Sequence, residues 1–538
     1  MKQKPDSQKS LVFWYNIGMQ KQIKYQENYT TNQLVLPLNL GIILEKDSEV
    51  YTYLELTKGI DLKKYFGRET NTGRIPKNRV KIMNAILFGY MIGYRSTRKL
   101  EEACKNDIRF MYLIEGMNSP SHTLINNVMN EIKDKLDSLL LEINQEIMKR
   151  EDIETDKLYI DGTKIEADAN KYSFKWKKSI IKFRDKLYKK ISKSLKEANE
   201  IFVEYGYKET REKEKYKIKE IEKITNRLLG IIDYLGIECV YGKGQRKTTI
   251  QRIYDKFSEY QNKLIEYKKD LDIIGPNRNS YAKTDHDATF MHMKEDHMRN
   301  AQLKPGYNVQ IGVSKEYIMV IDAFQNGADQ KTFKPLLEKY NLMYDNYPKY
   351  PVADAGYGSY DNYKYCESKG MEKYQKYGMW AKERDPNFKK LIYNKENFRK
   401  DKLGNYRCPN NKKFEEIRRY QSNRIESKHE MIEYECFYCS KCRQKKKCTK
   451  AKGNRQIAFI KGYTEIKEEV KNNLDSELGI ELRVQRSIQV EGAFGVIKED
   501  MKFRRFSRTM FSGIKLELNL IAIGYNLKKY HNKKFRSI

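Results

Sequence analysis

Apolar residues recur at intervals of three and four over long stretches of the chain and gather into short strand-like runs elsewhere, and the alternation sets out the expected elements. From Val80, the residues Met83, Ile86, Leu87, Tyr90, Met91 and Tyr94 fall on one helical face, and Ser96 is placed to cap a further helix through Cys104. After Ser119-Pro120-Ser121, the positions Leu124, Val128, Ile132, Leu136, Leu139, Ile143 and Ile147 predict one long helix. Short helices followed by a long one fit a helix-turn-helix DNA reader, and equally a plain helical bundle.

Between Lys175 and Ile274 the chain is highly charged. Ile221, Ile224, Leu228, Ile231 and Leu235, and then Ile253, Phe257, Tyr260, Leu264, Tyr267, Leu271 and Ile274, alternate at three and four residues, which predicts an antiparallel helical hairpin. Its basic connector, Tyr241 to Lys247, reads as a loop within reach of a phosphate backbone. Strand signals return at Tyr307 to Val313 and at Tyr317 to Asp322, joined as a hairpin by Ser314-Lys315-Glu316. A helix from Asp329, a strand from Tyr350 to Asp354, and a turn at Gly356 and Gly358 into a helix ending near Gly370 complete an α/β alternation. One mixed sheet covered by helices is the fold class expected.

With 538 residues the chain has material for several domains. Its 105 Lys and Arg against 73 Asp and Glu, a formal charge of +32, favour a polyanionic partner such as nucleic acid, although a Lys-rich composition also follows from coding bias. No run approaches the roughly 18 apolar residues of a membrane span. The N-terminal patch Leu11 to Tyr15 is brief and lacks a cleavage site, so a soluble, cytoplasmic protein is expected. Eight cysteines are too sparse for a disulfide framework.

Three acids stand out against this basic background. Asp161 and Asp354 each close an apolar strand-like run before a glycine, where a sheet presents side chains to a ligand, and Glu491 lies on a predicted helix. Brought together, they would form a carboxylate clamp for Mg²⁺ (or Mn²⁺), the oxygen-liganded chemistry that phosphodiester cleavage uses. Lys498 follows Glu491 by seven residues and shares its helical face, which suits a DNA phosphate beside the metal. Arg486 falls on another face and is expected to contact DNA outside the metal centre. Glu166, Asp168, Asp285, Asp287 and Asp322 compete for the acidic role, Asp322 most strongly because it too ends an apolar strand. His286, His292 and His297 are spaced loosely for a metal and read as surface or DNA-facing groups.

Cys436, Cys439, Cys442 and Cys448 follow a C-x2-C-x2-C-x5-C pattern, with Cys408 upstream as an alternative ligand. The pattern is open to a structural Zn²⁺, to an iron–sulfur cluster and to unliganded thiols. Lys441, Arg443, Lys445, Lys446 and Lys447 make the same segment basic.

Taken together, Val80 to Asn127, Tyr159 to Ala167, Thr284 to Asp322, Val352 to Tyr363 and Val490 to Phe506 resemble the corresponding segments of the DDE transposases of bacterial insertion sequences. The resemblance implies an RNase H-like mixed sheet flanked by helices, interrupted by a helical-hairpin insertion and a small cysteine-rich insertion. It also implies cleavage at the element's ends and attack of the freed 3′ hydroxyl on target DNA. The catalytic and metal-binding residues would be Asp161, Asp354 and Glu491, with Lys498, Arg486, Arg504 and Arg505 on DNA. Partners would be double-stranded DNA, as terminal inverted repeats and target, and further copies of the chain in a homodimer or higher oligomer; no membrane is implied. One departure is that Val484 and Ser487 stand where related elements carry tyrosine and arginine, leaving Arg483 or Arg486 to substitute.

The expected units are a helical DNA-binding domain over 1–150, a catalytic core over 151–174 and 281–378, a charged helical hairpin over 175–280, a cysteine-rich insertion over 379–463, and C-terminal helices over 464–538. A DNA-binding repressor without chemistry and a structure-selective nuclease are the alternative readings.

Overall fold

The computed structural model describes residues 44–67, 77–242, 246–293, 302–422 and 428–536. The apolar patch at Leu11 to Tyr15, the centre of the basic connector (243–245) and His297 lie outside the described residues.

The described chain opens with helices α1 (Glu49–Thr57), α2 (Arg79–Met91), α3 (Thr97–Asn106), α4 (Ile108–Ile114), α5 (His122–Ile132) and α6 (Leu136–Met148). The single long helix expected through Ile147 is divided: a 3₁₀ turn at Lys133–Lys135 separates α5 from α6, and Lys135 Nζ there binds the Tyr65 carbonyl at 2.8 Å. Strand β1 (Lys157–Glu166) follows, then β2 (Phe174–Trp176), which pairs antiparallel with β3 (Ser280–Ala282) and so closes the base of the charged insertion.

Inside that insertion the hairpin expectation is corrected. Besides α8 (Ile218–Tyr234) and α9 (Thr249–Ile274) there is a long helix, α7 (Lys177–Glu204), and α9 packs against both. Leu187, Ile191, Leu195, Ala198 and Phe202 of α7 complete a core of the insertion's own with Ile221, Leu228, Ile253 and Phe257. Lysine-rich flanks hide this apolar seam in the sequence.

The main sheet is mixed. Strands β4 (Thr289–His292), β5 (Leu303–Ser314) and β6 (Tyr317–Phe324) lead through α10 (Phe333–Tyr344) to β7 (Tyr350–Gly358), α11 (Tyr360–Ser368) and β8 (Tyr374–Tyr377). Their order is β4-β5-β1-β7-β8, with β6 also paired to β5; β1, β5 and β6 run antiparallel in turn, whereas β1, β7 and β8 are parallel. The expected β5–β6 hairpin is present, and Lys315 and Glu316 at φ 48° and 72° form its two-residue turn with the twist that adjacent strands require.

A second insertion contains the short ladder β9 (Arg399–Lys400) and β10 (Tyr406–Arg407) and the antiparallel sheet β11 (Glu415–Gln421), β12 (Glu430–Cys436) and β13 (Arg455–Ile460). The chain ends in α12 (Tyr463–Asp475), α13 (Glu477–Gly495) and α14 (Met510–Arg536). Helix α13 covers β1, β5 and β7, while α14 lies on β6 and against α2 and α6.

One continuous apolar core therefore runs from Val50 and Phe88 in the N-terminal helices through Ile160 and Val320 in the sheet to Ile521 in α14. Helices α2 and α14 meet at Gly524 of α14, where an added Cβ would stand 2.5 Å from the Tyr90 carbonyl of α2. Substituting Gly524→Ala is expected to destabilise the protein by about 1–3 kcal/mol through overpacking, read as a lower urea midpoint at unchanged slope.

Candidate active site

Strands β1 and β7 are paired in parallel only as far as Tyr159 and Val352. Asp161 and Asp354 each lie two residues beyond that last rung, so the parting of the strands leaves two carboxylates at equivalent heights on the walls of a crevice. The carboxyl ends of parallel strands are where open α/β sheets receive ligands. Beyond the fork β1 stays on β5 to Glu166, but β7 arches away from β8: Ala353 pairs with Gln375 and Gly358 with Tyr377, leaving residues 354–357 opposed by Lys376 alone. A bulge of this kind re-aims the side chains it carries. It lifts Asp354 out of the ladder, and the Gly356 N–H binds the Asp354 carboxylate at 2.8 Å. Gly358 ends the arch where only a hydrogen fits, because a Cβ would lie 2.0 Å from the Lys376 carbonyl.

Helix α13 supplies the cation of the site. Arg486 Nη2 is 2.7 Å from Asp161 Oδ1 and 4.0 Å from Asp354 Oδ2, with the two carboxylate side chains 17% and 37% exposed. Arg486 Nε also reaches the Ile160 carbonyl at 3.4 Å. The expectation that Arg486 lies outside the carboxylate centre is thus corrected: it stands between the two aspartates. Glu491, on the same helix, is exposed, and no ion pair or hydrogen bond among the described residues joins it to them. At about 100° per residue, it lies about 140° around the helix from Arg486.

The seven-residue face expected for Glu491 and Lys498 is also interrupted, because a π-helical turn begins at Val496 and ends at Asp500. Lys498 Nζ sits 5.9 Å from the Phe494 ring.

The crevice floor is a buried amide network. Gln310 of β5 is the cross-strand partner of Gly162, and a Cβ at Gly162 would collide with its amide nitrogen at 2.0 Å. Glycine there lets the Gln310 side chain cross β1, accept the Tyr357 hydroxyl of β7, and donate to Asp329 Oδ1 at 3.2 Å and Asn308 Oδ1 at 2.9 Å. Asn308 also donates to Asp329, at 2.8 Å. Burial, with Asp161, Asp329 and Asp354 adding to it, pushes the Tyr357 phenol far above its usual pKa, so it remains a neutral donor. Asp329 faces Gly356 beside Asp354. Its surroundings in sequence, Asn326-Gly327-Ala328, carry a turn signal and no sign of a site.

The competing acids are engaged elsewhere. Asp322 pairs with Lys515 at 3.4 Å, Glu166 with Lys304 at 3.2 Å, and Asp168 with Arg505 at 2.9 Å. Asp285 accepts the Tyr307 hydroxyl, and Asp287 the Phe511 N–H. Arg504 pairs with Glu499, so all three arginines expected on DNA, Arg486, Arg504 and Arg505, make intramolecular ion pairs. His292 is exposed and His286 lies edge-on to Tyr281.

In the second insertion Cys408, Cys436, Cys439, Cys442 and Cys448 line one cavity of about 20 Å³. The sulfur of Cys408 accepts the Lys412 N–H at 3.3 Å and that of Cys439 the Arg455 N–H at 3.4 Å. Burial and neighbouring thiols push Cys436 up to about 12. Among the described residues no three His, Cys, Asp or Glu side chains are arranged as a closed metal-ligand set, either here or at the aspartates.

The structure thus combines a mixed sheet with two aspartates at the fork of its parallel strands, and the family matches suggest an enzyme that cleaves nucleic acid. The Transposase DDE domain matches residues 407–531, which include Glu491, and the Transposase domain (DUF772) matches residues 45–131, the helices α1 to α5. Both matches are to transposase domains, and together they support a DDE transposase of an insertion sequence. No curated protein and no solved structure matches it. Among the described residues no helix is long and apolar enough to cross a membrane.

Because Arg486 offsets the charge of the aspartates, Arg486→Gln is expected to tighten Mn²⁺ binding at least tenfold, on the order of 1–2 kcal/mol. Calorimetric titration of the full chain checks this; unchanged affinity would mean that the ion binds away from Asp161 and Asp354.

Proposed function

We propose that the protein cuts DNA at the ends of its insertion sequence in a metal-dependent reaction and joins the freed 3′ hydroxyl to target DNA, using an RNase H-like core. The observation that carries this reading is the pair Asp161 and Asp354, held at matched heights past the fork of β1 and β7 with a cationic group between them. Two carboxylates that converge on a cation suit Mg²⁺ or Mn²⁺, which when bound activates the attacking oxygen and stabilises the leaving one.

In the first step water attacks the phosphorus at the element end and loses a proton to solvent, the bond to the 3′ oxygen breaks, and that oxygen takes up a proton. The resulting 3′ hydroxyl then gives its proton to solvent as it attacks a target phosphodiester, forming one P–O bond while the bond to the target's 3′ oxygen breaks and that oxygen is protonated. Asp161 and Asp354 hold the reacting phosphate's counter-charge in place. Glu491, on the same helix as Arg486, is the third carboxylate of this reading. Lys498, Arg504 and Arg505 follow the DNA backbone on the same side, and α2 to α5 read the terminal repeats. Holding two ends for coupled joining calls for a dimer or higher oligomer.

Incubating the protein with linear DNA carrying its own element's ends, Mg²⁺ and a target plasmid tests the reading. Asp161→Asn, Asp354→Asn and Glu491→Gln are each expected to lower cleavage at least a thousandfold while leaving DNA affinity within about twofold. Cleavage without joined products would support a nuclease instead, and binding without cleavage a repressor. If Glu491→Gln cleaves at the wild-type rate, α13 supplies no ligand.

For the cysteines we infer a structural Zn²⁺ held by four of the five thiols, a donor set that suits this ion. The raised Cys436 must lose its proton to bind, so binding should release protons and weaken as pH falls. Reductively purified protein is expected to contain about one zinc per chain, released as pH is lowered; metal-free protein with unchanged melting would leave the thiols without a ligand role.

A further inference from the structure

Beside the aspartate crevice, on its β8 side, positive charge is concentrated around one indole. The Trp380 ring has Arg384 Cζ at 3.7 Å, Arg483 Cζ at 4.9 Å and Lys376 Nζ at 5.3 Å from its centroid. Cation–π attraction of this kind holds such groups in place at modest cost. Arg384 is neutralised by Asp475 and fixed to the Trp380 carbonyl at 3.1 Å. Arg483 is tied by its Nε to the Gly479 carbonyl at 3.1 Å, which leaves its guanidinium ends over the ring.

Lys376 is the β8 residue that faces the Asp354 arch, and Arg483 precedes Arg486 by three residues on α13. The cluster therefore adjoins the carboxylates from two independent elements. Burial, followed by the like charges of Arg486 and Arg483, lowers the Lys376 ammonium below its usual pKa, with only Asp354 opposing. Cations crowded against their own repulsion at the mouth of a cleft attract an anion.

We propose that Lys376 and Arg483, steadied by Trp380, seat a DNA phosphate next to the one being cut. The assignment rests on the proposed DNA-cleaving reading, deepens it by naming positioning residues, and has the substrate strand leave the crevice over β8. Lys376 and Arg483 do not touch the reacting atoms; they fix the register of the strand that Asp161 and Asp354 act on.

The test uses the full chain and a fluorescein-labelled 30-base-pair duplex, with affinity measured across a KCl series in Ca²⁺ so that no cleavage occurs. Withdrawing one cation from the phosphate backbone should reduce the slope of log affinity against log salt by about 0.9. Lys376→Gln and Arg483→Gln are expected to show that reduction singly and about twice it together, whereas Lys376→Arg and Arg483→Lys retain the wild-type slope. Trp380→Phe should keep the slope and Trp380→Ala lower it, with circular-dichroism melting checking that each variant is folded.

Slopes unchanged in both glutamine variants overturn the proposal. A folded Trp380→Ala that keeps the full slope removes the indole's part in it. Cleavage in Mg²⁺ is assayed separately, so a chain that binds with the expected slopes but never cuts would defeat the catalytic reading and leave the phosphate seat standing.

Discussion

The parting of β1 from β7 after Tyr159 and Val352 is the constraint on which the site depends, because it opens a crevice without removing either strand from the sheet. A split between adjacent strands exposes backbone groups that must find partners, and water alone would hold the gap loosely. Here β1 keeps its ladder with β5 on the other side, and the Gln310 amide spans from β5 over Gly162 to the Tyr357 hydroxyl. Gln310 and Tyr357 are both fully buried, so these hydrogen bonds work in a low-dielectric setting where leaving them unmade would be costly. The absent side chain at Gly162 is what admits the amide, and Asp329 anchors its other end. The aspartates are therefore set by a buried polar brace beneath them.

Two carboxylates facing one crevice repel, and the fold answers with Arg486. On the proposed reading this would couple metal and DNA electrostatically: a divalent ion would compete with the guanidinium for the aspartates, while a phosphate would compete with the aspartates for the guanidinium, so each ligand would ease entry of the other. Helical geometry adds a second coupling, because Arg486 and Glu491 are five residues apart and a straight helix cannot turn both toward the same point. The π-helical turn at Val496–Asp500, directly after α13, is a segment where the helix can change register.

Features encoded locally were legible in the sequence. The apolar runs leading into the two aspartates, the Lys315-Glu316 turn, the heptad seams of α8 and α9, and the grouping of the cysteines all follow from short-range pattern and are present in the structure, but the strands do not end at the aspartates as expected: β1 runs on to Glu166 and β7 to Gly358. What escaped depends on distant partners. The seam of α7 was obscured by its lysines although Leu187, Ile191, Leu195 and Phe202 have helical spacing. The arch over residues 354–357 exists only relative to β8, and Arg486 reads as an ordinary helix arginine until α13 is laid on β1. Asp329 and Lys376 join the site through β5 and β8, from stretches with no acidic or basic motif of their own.

The two insertions and the N-terminal helices are attached in different physical ways. The helical insertion has its own apolar core and leaves the sheet through the narrow β2–β3 ladder, and the cysteine-bearing insertion has a second small core around Phe398, Tyr406 and Phe414. The second is also tied to the core helices, by His429 against Tyr360 of α11 and by Glu396 paired with Lys467 of α12. The N-terminal helices are fixed to the sheet, because α2 meets α14 at backbone distance over Gly524 and shares one continuous core with β1 and β6. Strain imposed on those helices by a bound duplex is thus carried through close-packed side chains, which transmit displacement instead of absorbing it. A DNA end bound to α2–α5 would consequently be presented to Asp161 and Asp354 in a fixed geometry.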